Sequence, residues 1–169
     1  MNNTETPVSP TNVTILPIHQ DLTLLPILIR TAIPEDISFI FDSWLKTYRD
    51  VQPGRYAIRS GLYFREQRAL IESLLLLPTT TVTVAVNPES ANQIYGYLCY
   101  QAVPDGSSLI VHWLQVKGVF RRLKVATRLL SAAVAHPDCP VTFTHYSPEA
   151  QKLAPTAIFN PYLAAAGVN

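Results

Sequence analysis

The chain has 169 residues, of which 48% are hydrophobic and 15% are charged, and its net charge is +1 at pH 7. This length is enough for one domain with a sizeable core, and so low a charge content is untypical of disordered proteins. A nearly neutral chain has no broad basic surface, so nucleic acid is not predicted as a partner. The two cysteines, Cys99 and Cys139, form no Cys-x-x-Cys pair, so neither a disulfide framework nor a metal site is predicted.

Targeting signals are absent from the sequence pattern. The first fifteen residues lack the apolar run of a signal peptide, and the apolar windows at 22–29 and 74–77 are too short to span a bilayer. A cytoplasmic protein without a membrane partner is therefore predicted. Residues 1–26 are proline-containing and aperiodic, and we predict an extended arm there, ahead of one domain over residues 27–169.

The predicted elements begin with a strand over Ile27–Thr31 and two helices. The first helix begins near Pro34, where a proline and two acids suit a first helical turn. The second helix is predicted over Phe64–Leu77 and ends before Pro78, because proline disfavours helical geometry in the residue before it.

The hydrophobic period then changes from 3.6 to 2, which indicates strands. Three strands are predicted, at Thr81–Val86, Ile94–Gln101 and Leu109–Val116, with a connecting loop at Asn87–Asn92 and a turn at Pro104–Ser107. Later elements are a helix over Arg122–Ala135, a strand over Val141–Tyr146 and weaker helix signals at Pro148–Leu153 and Tyr162–Ala166. A helix joins the last two strands, so they are predicted to be parallel, whereas the hairpins are antiparallel. The pattern predicts an α/β fold with a mixed sheet flanked by helices.

A basic turn separates the strand Leu109–Val116 from the next helix. Four cations, Lys117, Arg121, Arg122 and Lys124, lie within eight residues around the predicted helix N-terminus. The free N–H groups and the dipole at this end of a helix attract anions, so cations there predict a bound phosphate group. The alternative interpretation is a solvated basic edge.

The segment from Leu114 to Leu130 resembles the acetyl-CoA motif of the GNAT acyltransferases. That motif runs Leu-x-Val-x-Pro-x-x-Arg, then x-x-Gly-x-Gly/Ala and x-x-Leu-Leu. The matching positions are Leu114, Val116, Arg121, Ala126, Leu129 and Leu130. Gly118 stands where the family usually has proline, and Lys124 stands where it usually has glycine. The similarity covers roughly residues 27 to 167 and is closest to GNAT-like proteins of tailed bacteriophages.

The resemblance implies a single GNAT-type domain that uses acetyl-CoA as co-substrate. It implies that backbone N–H groups of about Arg121 to Ala126 hold the diphosphate, and that the pantetheine arm lies between two splayed strands. It also implies that an N–H near Leu114 polarises the thioester carbonyl. The predicted cofactor-binding residues are Leu114, Val116, Arg121, Arg122, Lys124, Val125 and Ala126.

Three residues are candidates for acid and base chemistry. His112 matches in register a histidine that acts as base in serotonin-type N-acetyltransferases, and strict alternation places it on the face of Leu114 and Val116. His145 lies near the carboxyl end of the parallel partner strand, where ligands collect. Tyr162 lies where the family often places its acid tyrosine. The structural alternatives are a core or cleft-lining histidine with a structural hydrogen bond for His112, and packing of the C-terminal segment for Tyr162.

Two functional hypotheses follow. The first is an N-acyltransferase that transfers an acetyl group from acetyl-CoA to an amine acceptor, either a small molecule or a protein. The second is a GNAT-fold protein without catalysis that acts as a phage-associated interaction or structural component. If the chain is phage-encoded, the predicted location is the host cytoplasm. Homodimers are common in the family, and a phage or host protein is the other partner considered.

Overall fold

The computed structural model describes residues 25–52, 57–103 and 107–166 of the chain. The predicted arm at residues 1–26 lies almost wholly outside the described residues, so the arm and the domain boundary stay predictions. Three residues of the predicted turn at Pro104–Ser107 also lie outside them.

The first described elements are a strand, β1 (Leu28–Thr31), and two helices, α1 (Pro34–Val51) and α2 (Ser60–Leu76). The start of α1 is fixed by Asp36, whose carboxylate accepts the Ile33 N–H at 2.9 Å and an Arg30 guanidinium N–H at 2.6 Å. The helix α2 begins four residues before the predicted Phe64. Its first turn is held by tertiary contact, since the buried Tyr63 hydroxyl donates to a carbonyl of α1 at 2.8 Å.

The next two strands form a tight hairpin, β2 (Thr80–Asn87) and β3 (Ser90–Ala102). The prediction of a six-residue loop at Asn87–Asn92 is wrong, because Asn87 pairs with Ser90 across a two-residue turn. The side chain of Asn87 supports this turn: its carbonyl accepts the Glu89 N–H at 3.0 Å, and its amide donates to Gln93 at 2.8 Å. Asparagine forms such turns readily, which explains the short connection.

The strand β4 (Leu109–Val116) is followed by a 3-10 turn, Gly118–Phe120, and by the helix α3 (Val125–Ala133). The helix begins three residues after the predicted Arg122. Arg122 and Lys124 both adopt positive φ, 65° and 59°, which a right-handed helix does not accommodate. The last elements are β5 (Val141–Phe143), α4 (Pro148–Leu153), β6 (Ile158–Phe159) and α5 (Leu163–Ala166).

All six strands form one sheet in the order β1-β2-β3-β4-β5-β6. The first four strands are antiparallel neighbours, and β5 pairs with β4 in parallel, as predicted. The edge strand β6 has two residues, both exposed, so it has no hydrophobic pattern by which the sequence could indicate it. One core cluster joins α1 and α2 to one face of the sheet, and a second joins α3 to the other face. The mixed sheet flanked by helices confirms the predicted fold class.

Candidate cofactor cleft and histidine network

A cleft opens where β4 and β5 separate. The two strands pair only as far as Val111 and Phe143, and one further bond joins the Thr144 N–H to the Val111 carbonyl at 3.0 Å. Beyond this point β4 continues to Val116 with β3 as its remaining strand neighbour. The space beside this part of β4 is a cavity of about 620 Å³, within the range typical of cofactor sites.

The walls of the cleft come from α1, the end of β4, the basic turn, the start of α3, and α4. The lining residues are Thr47, Val51, Trp113, Leu114, Gln115, Val116, Phe120, Arg121, Arg122, Lys124, Val125, Ala126, Thr127, Ser147, Glu149, Ala150, Lys152 and Leu153. All seven residues predicted to bind the cofactor are among them.

Three of the four predicted cations line the cleft, and the fourth points away. The ammonium group of Lys117 lies 4.5 Å from the centre of the Phe39 ring on α1, and burial lowers its pKa. The side chains of Arg121, Arg122 and Lys124 are exposed, and the ion pairs found among the described residues involve none of them. These three guanidinium and ammonium groups are therefore available to a negatively charged ligand.

The N-terminus of α3 opens into the same cleft. Lys124 is its N-cap residue, with φ 59° and ψ 14°, and no side chain caps the first turn. The first N–H groups of a helix have no partner within the helix, so they are free to bind an anion. The left-handed geometry at Lys124 explains why glycine is usual here in the GNAT motif, since any side chain costs about 1–2 kcal/mol in this region.

A β-bulge at His112 corrects the predicted side-chain alternation along β4. Trp113 and Val111 pair with consecutive residues of β3, which leaves His112 as the extra residue. Because of this bulge, Leu114 and Val116 belong to the same core cluster as Val111, whereas Trp113 belongs to the opposite cluster. Strict alternation is therefore interrupted at His112, and the alternation that placed its side chain on their face does not hold across the bulge.

His112 and His145 lie in one buried hydrogen-bonded chain, whose His145 ring packs against Trp113. The hydroxyl of Thr144 lies 3.1 Å from Nδ1 of His112 and 2.9 Å from Nδ1 of His145. The side-chain nitrogen of Gln67, on α2, lies 3.0 Å from Nε2 of His145. The His145 ring also packs edge-on against aromatic rings, with centroid distances of 4.6 Å to Tyr48, 5.3 Å to Trp44 and 6.1 Å to Trp113.

Both histidines are held neutral by their surroundings. His112 is 1% exposed and His145 is 4% exposed. Burial lowers the pKa of His112 to about 4, and burial together with the nearby His112 lowers the pKa of His145 to about 3. Neither imidazole lines the cleft, whereas Trp113, which packs on His145, does.

Tyr162 is separate from these groups. Its side chain is 82% exposed and does not line the cleft, and its backbone N–H donates to the Asn160 side chain at 3.1 Å. The structure therefore brings the seven predicted cofactor residues together, places the two histidines in one buried chain, and leaves Tyr162 at the surface.

Sequence analysis missed several polar residues of this region. Gln115 accepts hydrogen bonds from the Thr47 hydroxyl at 2.5 Å and the Trp113 indole N–H at 3.0 Å, at the α1 side of the cleft. Gln67 and Thr144 complete the histidine chain. The sequence signal that could have found Gln115 is a polar residue within the apolar pattern of β4. This signal does not identify the side chains to which Gln115 is hydrogen-bonded.

No protein-family model matches the chain, and no curated protein matches it. A candidate acetyltransferase from Pyrococcus furiosus superposes with a TM-score of 0.56 at 18% identity, over 85% of this chain and 93% of that one. A candidate acetyltransferase from Bacillus subtilis, YycN, superposes with a TM-score of 0.59 at 14% identity, over 85% of this chain and 92% of that one. The chain has the GNAT fold. At these identities the likeness establishes the fold alone, and activity depends on the chemistry of the site.

A GNAT family N-acetyltransferase from Escherichia coli, YhbS, was solved in complex with CoA. The superposition covers 64% of this chain and 54% of YhbS at 20% identity. Its TM-score of 0.43 is too low to bear on the site described above. Among the described residues, no helix is long and apolar enough to cross a membrane, and no group of three or more metal-ligating side chains occurs.

Proposed function

We propose that this GNAT-fold chain is an N-acyltransferase that takes an acetyl group from acetyl-CoA and transfers it to an amine. The observation that carries the proposal is the cleft itself. It joins the unpaired edge of β4 to an uncapped helix N-terminus surrounded by Arg121, Arg122 and Lys124. A ligand with a diphosphate at one end and an extended, amide-containing arm at the other matches both parts.

The diphosphate would lie against the first turn of α3, where the N–H groups near Val125 and Ala126 have no partner within the helix. Cationic side chains of the turn would add charge-assisted hydrogen bonds to the phosphate oxygens. The pantetheine arm would run along β4 beside Leu114 and Val116, and its amides would bond to the strand edge that β5 leaves free.

Transfer requires that the acceptor amine lose a proton as its nitrogen attacks the thioester carbonyl and the CoA thiolate departs. We propose His112 as the proton acceptor, with His145 behind it in the same hydrogen-bonded chain. A pKa near 4 keeps His112 unprotonated at neutral pH, and its burial requires a water molecule to carry the proton from the cleft. Tyr162 remains a hypothesis for the acid.

Calorimetric titration with acetyl-CoA tests the cofactor site. The wild type is expected to bind with micromolar affinity. A variant with Arg121→Ala and Lys124→Glu is expected to bind at least about 100-fold more weakly, because charge-assisted hydrogen bonds contribute about 1.5–3 kcal/mol each. Its melting temperature should stay close to the wild-type value, since both side chains are exposed. Equal affinity in the two proteins would contradict the assignment of the phosphate site.

One set of observations favours the second candidate function, a GNAT-fold protein without catalysis that binds a macromolecular partner of phage or host origin. The two histidines are buried and neutral, and Lys124 occupies a strained position where the motif has glycine. If neither protein bound acetyl-CoA, this candidate would replace the enzyme, and the search would turn from amine acceptors to a protein partner.

A further inference from the structure

The histidine chain has a direction, because each of its links needs one donor and one acceptor. The Thr144 hydroxyl has a single proton, and it lies between Nδ1 of His112 and Nδ1 of His145. If Thr144 donates to one ring, the bond to the other ring requires that ring's Nδ1–H to donate. The two neutral histidines must then hold their protons on different ring nitrogens.

The Gln67 amide sets which of the two directions is adopted. Its nitrogen lies 3.0 Å from Nε2 of His145, so Nε2 accepts and the His145 proton sits on Nδ1. His145 then donates to Thr144, Thr144 donates to Nδ1 of His112, and the His112 proton is left on Nε2. That Nε2 is buried and has no hydrogen-bond partner among the described residues.

Turning the same amide by 180° reverses every link. The Gln67 carbonyl then accepts from Nε2–H of His145, and Nδ1 of His145 accepts from Thr144. Thr144 in turn accepts from Nδ1–H of His112, which leaves a lone pair on Nε2 of His112. A proton-accepting His112 requires this second direction, so under the proposed function the Gln67 amide turns before His112 takes up the proton.

We propose that Gln67 and Thr144 are positioning residues that couple the two histidines, so that the orientation of the Gln67 amide decides whether Nε2 of His112 carries a proton or a lone pair. The link to catalysis rests on the proposed function, whereas the coupling itself rests on the three hydrogen bonds and on the burial of both rings.

The proton balance is complete within this chain. In the second direction, Nε2 of His112 takes the proton lost by the amine while the new N–C bond forms and the C–S bond breaks. The Nδ1 proton of His112 can then pass to Thr144, whose own proton passes to Nδ1 of His145. The positive charge then lies on His145, where Nε2–H donates to the Gln67 carbonyl, and because burial disfavours this cation the proton returns along the same path to the departed CoA thiolate. A water molecule carries the proton between the cleft and Nε2 of His112, as the burial of that ring requires.

The surroundings of the chain supply few other titrating groups. The ionisable side chain packed on His145 from α1 is Tyr48, whose pKa is raised by burial, so it stays neutral in the same range. Trp44 and Trp113 do not titrate, and α2 contributes the uncharged Gln67. A hydrogen bond between the His145 ring and the His112 backbone also acts on the pair, so its protonation is governed by its side-chain links and by this backbone bond.

Imidazole ¹⁵N NMR of histidine-labelled protein tests the coupling without any substrate. We expect opposite tautomers, with the proton on Nδ1 of His145 and on Nε2 of His112. The ionised carboxylate of Gln67→Glu can only accept, so in the neutral pair both rings should change to the reverse tautomers. When Gln67→Glu is combined with Thr144→Val, the tautomer of His145 should change and that of His112 should not follow it. When Gln67→Glu is combined with Thr144→Ser, the tautomers of both rings should change.

Two results would overturn the coupling: a wild-type pair with both protons on the same type of nitrogen, or a His112 tautomer that ignores Gln67→Glu while His145 changes. If Gln67→Glu does not fold, Thr144→Val and Thr144→Ser still decide. The valine variant should mix the two tautomers of His112, the serine variant should not, and identical His112 spectra in the two variants would also overturn the proposal.

Kinetics then test the link to catalysis. Thr144→Val should lower kcat by at least about tenfold, because general-base catalysis contributes about 10²- to 10⁴-fold and this variant loses part of that contribution. Thr144→Ser should recover most of the lost kcat. The affinity of both variants for acetyl-CoA should equal that of the wild type, because Thr144 does not line the cleft. A wild type with coupled tautomers and no turnover would refute the proposed function and leave the coupling standing, whereas unchanged kcat in Thr144→Val would refute the positioning role.

Discussion

The two halves of β4 differ in what surrounds them. The first half, Leu109–Val111, is fully buried and lies between β3 and β5, whereas the second half, Trp113–Val116, has β3 on one side and the cleft on the other. His112, the bulged residue, lies at the junction. The first half of this strand is therefore part of the core, and the second half leaves backbone groups unpaired beside the cleft.

The electrostatics of the two halves are also opposite. The first half ends at His112, and burial keeps this ring and its partner His145 neutral at pH 7. The second half leads into three exposed cations and the positive end of α3. The fold thus places a neutral, buried histidine within β4 and three exposed cations in the turn that follows this strand.

The buried half predicts the largest effect, a loss of stability in acid. The pKa values of His112 and His145 are lowered to about 4 and about 3, while in the unfolded chain each is near 6.5. Below pH 6.5 the unfolded state therefore binds protons that the folded state does not, and stability falls as the pH drops towards 4. Each histidine contributes about 1.4 kcal/mol per pH unit to this slope.

Urea unfolding between pH 7 and pH 4.5 measures this slope. The variant His112→Gln should lose about half of the histidine contribution, so its stability should change less steeply than that of the wild type. His136 is exposed and provides the matched control, since His136→Gln should leave the slope unchanged. Equal slopes in all three proteins would mean that His112 is not held neutral in the fold.

The junction of β3 with the cleft half of β4 predicts the next largest effect. A Cβ atom at Gly96 would lie 2.5 Å from the Gln115 carbonyl oxygen and 3.2 Å from the Val116 Cα atom. Backbone atoms cannot move aside as a flexible side chain can, so Gly96→Ala should destabilise the protein by about 1–3 kcal/mol. It should also weaken acetyl-CoA binding, because the strand that forms the cleft floor must shift.

The control for this change is Gly118→Ala, since no atom lies within 4 Å of a Cβ built at that position. Thermal unfolding of both variants gives the comparison. A Gly96→Ala protein as stable as Gly118→Ala would show that the contact between the two strands relaxes at no cost, and that the cleft floor is less rigid than the structure indicates.

The sequence predicted the cleft half of the molecule better than the buried half, for a physical reason. The basic turn, the end of β4 and the start of α3 are neighbours in the chain, so their pattern contains both the cations and the helix that they surround. All seven predicted cofactor residues accordingly line one cavity. The error in the start of α3 came from the left-handed Arg122 and Lys124, because neither residue type signals positive φ.

The histidine chain depends on residues far apart in the sequence. Gln67 reaches His145 across 78 positions, and Thr144 reaches His112 across 32. No local period encodes such a pairing, and the bulge at His112 changed the side-chain phase on which the alternation argument depended. Sequence patterns therefore gave the two histidines as candidates but could give neither their burial nor their shared partner.

The smallest predicted effect separates charge from backbone strain in the basic turn. Lys124 holds φ at 59°, a conformation that glycine adopts freely and that costs other residues about 1–2 kcal/mol. Because glycine also loses more entropy on folding, Lys124→Gly should stabilise the protein by roughly 0.5–1 kcal/mol. Lys124→Ala removes the same charge and keeps the strain, so its melting temperature in thermal unfolding should lie near or below that of the wild type.

If the two variants also bind acetyl-CoA equally and more weakly than the wild type, the lysine contributes charge to the site. If Lys124→Gly binds more tightly than the wild type, the side chain obstructs the diphosphate, and the site has departed from the geometry that its motif implies.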